Sequence, residues 1–268
     1  MLPNLDALLE CSILAARAAG DHALSNYNRR HEVAERFAHD IKLRLDSESQ
    51  QKAEEMIRHR FPDHRILGEE SVTQGLPAGS EPLWIIDPID GTVNFKHGLP
   101  LWCSAVAVQV DGRVVAGAVF LPEMKECYTA SLESPALCND KPIHVSGTAS
   151  MGESLILTGL SKNMTLHPYT AQVVEAISHQ VQKVRIMGSA AVDICHVACG
   201  KAEGYVETGI YLWDIAAAGL IAGRAGAKTE VLEKLGDIRL RYLCTNGLIH
   251  DPLKKTVMDT IRQYAPRP

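Results

Sequence analysis

The stretch Trp84-Ile85-Ile86-Asp87-Pro88-Ile89-Asp90-Gly91-Thr92-Val93-Asn94-Phe95 carries the most concentrated chemistry in the chain. An apolar run leads straight into two carboxylates three residues apart, then into Gly and Thr. Pro88 fixes its own φ and keeps Asp87 extended, so the spacing predicts both acids at the end of a strand. Gly91 permits a tight turn, and Thr92 opens a helix whose first N–H groups have no partner within it. A helix start of this kind attracts anions. Two carboxylates beside it would repel an anionic substrate unless cations lay between, and hard oxygen ligands suit Mg²⁺. The plainer reading makes Asp90-Gly91 a turn and Asp87 a strand-end residue, and this segment alone leaves both readings open.

Other segments offer weaker candidates. Glu69-Glu70 follows the short apolar strand around Ile66-Leu67, and adjacent acids on a loop are ordinarily solvated. Asp214 precedes Ile215-Ala216-Ala217-Ala218, where an N-cap is the default role. Glu207, in Tyr205-Val206-Glu207-Thr208-Gly209, reads by itself as a strand-end surface acid. Cys195, His196 and Cys199 resemble a metal cluster, but they sit among small and apolar residues at helical spacing with no second ligand pair, so a buried helix is expected. Gly223 to Thr229 lacks the Gly-Lys-Thr/Ser ending of a nucleotide loop and is set aside. Nor are Asp87 and Asp90 a phosphoaspartate-forming pair, which needs Asp-x-Asp-x-Thr with the acids two apart.

These residues need elements to position them. Apolar positions from Leu5 to Ala19 recur at i, i+3 and i+4, predicting a helix packed on a core. Residues 26–40 are polar and read as a loop or hairpin, 46–60 as a helix and 71–82 as a connecting loop. Strands are expected at 83–86, 101–110 and 113–121, the last two joined by the hairpin signal Asp111-Gly112. The second half alternates strands at 154–157, 204–207, 228–232 and 242–245 with helices at 169–181, 189–199, 214–226 and 251–264. In the last helix Asp251 is expected to cap and Pro252 to open the first turn. Hairpins followed by alternating strands and helices imply layered sheets covered by helices.

Composition excludes several classes. The chain has 268 residues, 46% of them apolar, enough for a sizeable core without staples. A net charge of −5 argues against a basic nucleic-acid surface but not against an anionic substrate, since bound cations reverse the local field. Seven scattered cysteines argue against a disulfide framework. No apolar run reaches membrane-span length, and the N-terminal residues lack the pattern of a secretory leader, so a cytoplasmic protein is expected.

Taken together, Gly68-Glu69-Glu70-Ser71, then Trp84 through Phe95, then Tyr211-Leu212-Trp213-Asp214-Ile215-Ala216-Ala217-Ala218-Gly219 resemble the three signature motifs of the inositol monophosphatase family, in order and spacing. The similarity runs from the first helix to the last. It implies an α/β protein of α+β layering, an alternating αβαβα sandwich of the inositol monophosphatase and fructose-1,6-bisphosphatase type. Residues 1–268 would form one catalytic domain, with most metal ligands in about 1–145 and the substrate pocket and Asp214 in about 146–268.

Position by position, the resemblance implies that Glu69, Asp87 and the Ile89 carbonyl hold a first Mg²⁺. Asp87, Asp90 and Asp214 would hold a second, with Glu69 near a weaker third. The Gly91 and Thr92 N–H groups would receive phosphate; Thr92 Oγ1, oriented by Asp46 and aided by Glu69, would activate the attacking water without a phosphoenzyme. Gly188-Ser189-Ala190 and Glu207, together with Asp90 and Asp214, would contact the alcohol, favouring inositol-1-phosphate or another polyol ester. Relatives with the same chemistry act on fructose bisphosphate, histidinol phosphate, NADP or adenosine bisphosphate. Others bind the transcription machinery instead. Lithium sensitivity and a homodimer are further family traits. The chain departs from the pattern at Leu43, where Thr is usual, at Gln50, where Glu is common, and at Glu35, where Lys is frequent. Asp40 and Asp46 are retained.

Overall fold

The computed structural model describes residues 4–36, 41–71, 81–160 and 169–264, so Asp40 and most of the 71–82 segment lie outside it. α1 (Leu5–Ser25) opens under an Asn4 cap whose Oδ1 accepts the Asp6 and Ala7 N–H groups. It runs past the expected end at Ala19 because Ala23 continues the buried stripe. The polar region then yields a short antiparallel hairpin of β1 (Val33–Arg36) and β2 (Ile41–Leu43), followed by α2 (Arg44–Arg60).

The seven-stranded sheet comprises β3 (Arg65–Gly68), β4 (Leu83–Asp90), β5 (Cys103–Val110), β6 (Arg113–Leu121), β7 (Glu126–Ser131), β8 (Leu137–Cys138) and β9 (Lys141–Pro142), in that spatial order. β3 and β4 are parallel and the remaining pairs antiparallel. The one-turn helix α3 (Thr92–His97) follows β4. Asp111 and Gly112 turn β5 into β6 with φ of 49° and 76°, the geometry their sequence predicts. β7, β8 and β9 were not foreseen. The last two have only two residues each, but Asn139 and Asp140 between them both take positive φ, a turn signal readable in the sequence.

The second sheet is built from β10 (Leu155–Thr158), β11 (Lys183–Arg185), β12 (Gly204–Tyr211), β13 (Lys228–Lys234) and β14 (Arg239–Thr245), in the order β11-β10-β12-β14-β13. Between its strands run α4 (Thr170–Ser178), α5 (Ala190–Ala198) and α6 (Leu212–Arg224), with α7 (His250–Tyr264) at the end. α7 begins at His250, one residue earlier than expected. Asp251 is therefore inside the first turn, paired with Lys228 at 3.0 Å, and the Asn246 carboxamide accepts the Leu248 and Ile249 N–H groups ahead of the helix.

Side-chain alternation sorts the layers. On β4, Trp84 and Ile86 join the core under α1 and α2, whereas Leu83 and Ile85 face the opposite core with α5 and α6. β5 repeats this with Val106 and Val108 on one side and Ala105 and Ala107 on the other. In the second sheet Tyr205, Tyr242 and Cys244 meet α5 and α6, while Ile156, Val206 and Leu243 pack on α4 and α7. The result is the αβαβα sandwich. Each large side chain so buried contributes roughly 1.5–3 kcal/mol relative to exposure.

The central layer lies close to the large sheet because its contacts are small. A Cβ at Gly117 of β6 would stand 3.1 Å from Ala217 Cα on α6. Gly117→Val is therefore expected to push α6 off the sheet, costing about 1–3 kcal/mol in urea unfolding.

Candidate active site

Residues i and i+3 of a regular strand point to opposite faces. Asp87 and Asp90 escape this rule through an irregularity: Asp87 pairs with Ala105 and Asp90 with Cys103, so three residues of β4 span two of β5. That bulge turns both carboxylates towards the central layer. Pro88, with no N–H to offer the ladder, sits inside it, and its carbonyl accepts the Ser104 hydroxyl at 2.5 Å. Gly91 follows at φ 89°, where a Cβ would come within 2.9 Å of the Leu101 carbonyl. Both constraints require glycine.

Asp90 Oδ2 accepts the Ser189 hydroxyl at 2.6 Å and the Ala191 N–H at 2.7 Å, and Ser189 is also the N-cap of α5. Asn94 on α3 donates to the carbonyls of Leu101 and Met187, securing the approach of Gly188, itself at φ 87°. Asp214 is the third residue of α6, not its N-cap, and accepts the Tyr211 N–H at 2.9 Å. One carboxylate oxygen each from Asp87, Asp90 and Asp214 fall within 4.8 Å of one another.

The adjacent acids Glu69 and Glu70 part company. Glu70 pairs with Lys42 at 3.3 Å, while Glu69 lines the cavity around the triad without joining it. Their turn is held by Gln50, whose Oε1 accepts the Glu70 N–H and whose Nε2 donates to Ser71 Oγ. Asp46 is buried in the first turn of α2, where it accepts the Leu43 N–H at 2.6 Å, and it does not line the cavity. The Thr92 hydroxyl donates to the Ile89 carbonyl at 3.0 Å.

The cavity measures about 260 Å³. Besides Ile89, Gly91, Thr92, Gly188, Ser189 and Ala190, it is lined by the carboxyl groups of Glu69, Asp87, Asp90, Asp193, Glu207 and Asp214. No Lys, Arg or His stands among the described lining residues. Converging carboxylates repel a phosphate, and three oxygens this close suit a divalent cation of the hard kind. The donor set fits such an ion.

Sequence reasoning missed Asp193, Tyr205 and Gly159 of this cavity. Asp193 lies in the first turn of α5 with 1% of its surface exposed. Burial, then the charges of Asp90 and Glu207, push its carboxyl up to about 9. An acid inside Ala191-Val192-Asp193-Ile194-Cys195 was the available signal, since acids are almost never fully buried without a reason. Tyr205 donates its hydroxyl proton to Glu207 Oε2 at 2.5 Å, and a Cβ at Gly159 would overlap the Glu207 carboxylate. Cys195 and His196 lie on α5 and Cys199 is its C-cap, the thiols are free, and burial lowers His196 to about 4.

With this geometry established, the chain can be set beside known proteins. Its sequence matches the inositol monophosphatase family over residues 4–262. This chain belongs to the inositol monophosphatase family. It is 35% identical over 270 residues to the inositol-1-monophosphatase of Synechocystis sp., covering 98% of this chain and 93% of that one. It is 36% identical over 227 residues to the Nus factor SuhB of Pasteurella multocida, covering 83% and 84% of the two chains. The solved structure of the inositol monophosphatase from Anabaena (Nostoc) sp. superposes with a TM-score of 0.84 at 33% identity, covering 96% of this chain and 97% of that one. The αβαβα fold is that of the family, and the chain is a phosphatase, a hydrolase of phosphate esters.

One consequence concerns pH. The unfolded Asp193 carboxyl titrates near 3.9 and the folded one near 9, so between these values the folded state holds the extra proton. Stability of the metal-free protein should therefore fall as pH rises through this window. Asp193→Asn is expected to flatten the fall, giving a higher Tm than wild type at pH 8 in thermal scans with chelator.

Proposed function

We propose that the chain is a Mg²⁺-dependent phosphomonoesterase whose substrate is inositol-1-phosphate. The convergence of Asp87, Asp90 and Asp214 in a cavity that Glu69, Asp193 and Glu207 also line carries this reading. Glu69, Asp87 and the Ile89 carbonyl would hold one ion, and Asp87, Asp90 and Asp214 another, with a weaker third near Glu69. Bound Mg²⁺ supplies charge neutralisation for the phosphate and acidifies the attacking water. The Thr92 hydroxyl, its proton directed at the Ile89 carbonyl, keeps lone pairs with which to accept a hydrogen bond from that water. Thr92, oriented by Asp46 and aided by Glu69, would activate that water. The water oxygen joins phosphorus, the ester P–O bond breaks, and the departing alkoxide takes a proton from solvent water, balancing the one drawn from the attacking water.

The Gly91 and Thr92 N–H groups would steady the phosphate, while Gly188, Ser189 and Ala190 form the wall beside the alcohol. Glu207 would accept hydrogen bonds from its hydroxyls, which favours a polyol over an alcohol without them. We treat residues 1–268 as one catalytic unit, a reading supported by the single core cluster that spans residues of both sheets. A cytoplasmic homodimer, inhibited by Li⁺, completes the proposal; no helix among the described residues is long and apolar enough to cross a membrane. A second reading, binding to the transcription machinery, is favoured by the similarity to a Nus factor SuhB. Recovery of RNA polymerase in a pulldown that survives Asp87→Asn would support it.

The primary test is a panel of inositol-1-phosphate, fructose-1,6-bisphosphate, histidinol phosphate, NADP and adenosine bisphosphate, with and without Mg²⁺ and Li⁺. Inositol-1-phosphate is expected to give the highest kcat/KM. Asp87→Asn and Asp214→Asn should each lower it by roughly 10²–10³-fold and weaken Mg²⁺ binding in calorimetry. Wild-type turnover in either variant would remove that residue from the machinery.

A further inference from the structure

The reading of a polyol ester leaves one acid of the cavity without a role. Asp193 stands on α5, whereas Glu207 and Tyr205 stand on β12, and all three line the same cavity. It is not part of the triad of close carboxylate oxygens formed by Asp87, Asp90 and Asp214. Its Oδ1 is buried and finds no hydrogen-bond partner within the protein. Buried polar atoms are nearly always paired, so a bare oxygen in a cavity wall points to something that enters the cavity.

Its neighbours narrow what that is. The Tyr205 hydroxyl spends its one proton on Glu207 Oε2, so this pair presents only acceptor positions to an incoming group. Gly159 packs against the Glu207 carboxylate with no room for a side chain, which fixes the carboxylate beside Tyr205. The alcohol end of the cavity therefore offers acceptors from two different layers, one on α5 and one on β12. A ring bearing several hydroxyls can donate to both at once.

We propose that Asp193 is a second hydroxyl-recognising residue, accepting a hydrogen bond from the alcohol of the substrate opposite the one taken by Glu207. This rests on the polyol reading above and adds the residue that sets its specificity. Asp193 takes no part in bond making or breaking, so its contribution is read in KM and in selectivity.

The experiment compares inositol-1-phosphate with p-nitrophenyl phosphate, whose alcohol carries no further hydroxyl, in wild type, Asp193→Ala and Asp193→Asn, each with saturating Mg²⁺. For Asp193→Ala the preference for the inositol ester, as a ratio of kcat/KM values, should fall on the order of tenfold, mostly through KM. Asp193→Asn, which keeps the shape and one acceptor oxygen, should lie between Ala and wild type, and it guards against a misfolded Ala variant. Equal losses on both esters, or an unchanged ratio in both variants, overturns the inference while leaving the polyol reading intact. A wild type that shows no preference for the inositol ester instead overturns the polyol reading, and this inference with it. Phosphoethanolamine serves as a further arm: a loss confined to that ester would mark a cation contact and overturn the hydroxyl assignment.

Discussion

The carboxylate of Asp90 accepts hydrogen bonds from the Ser189 hydroxyl and the Ala191 N–H, and both donors belong to the start of α5, across the central layer from β4. Charge-assisted bonds of this kind are about twice as strong as neutral ones, and here they join a strand of the first sheet to a helix lodged against the second. The same residue offers an oxygen to the group completed by Asp87 and Asp214. Site and fold thus share one side chain. Moving α5 would move Asp90, and moving Asp90 would break up the only close carboxylate triad among the described residues.

The bulge in β4 is the second half of this constraint. Without it the pleat would send one of Asp87 and Asp90 into the apolar core under α1 and α2, where a carboxylate has no compensation. With it, both acids reach a wall built from the ends of β3, β4 and β12 and the first turns of α5 and α6. Helix starts and strand ends meet there because the central layer is sandwiched between two sheets. Small residues, Gly117 against Ala217 among them, let that layer close tightly enough for the acids to converge.

Several departures from the family pattern acquire a structural role. Gln50, where Glu is common, uses both ends of its carboxamide to hold the turn that separates Glu69 from Glu70, which a carboxylate could not do as a donor. Leu43 is buried in a cluster with Phe95 and Trp102, and its N–H is the partner of Asp46. Gln50 thus puts a neutral bridge at the Glu69–Glu70 turn, and Leu43 puts packing beside Asp46.

What the sequence determined by itself was local. Periodicities of two and 3.6 residues located the main strands and six of the helices, since burying one face of an element writes its spacing into the chain. Asp111-Gly112 specified its turn for the same reason, because left-handed backbone is encoded in the residues that tolerate it. The motif acids were legible as residue types at fixed spacing. Elements of two or three residues, such as β8, β9 and β11, were not, because they hold too few side chains to show a period. Only the tertiary structure decided that Glu70 turns to Lys42, and that Asp193 on α5 and Glu207 on β12 share one cavity. Those outcomes depend on which surfaces meet between layers distant in the chain, and a carboxylate's environment is set by what is packed against it.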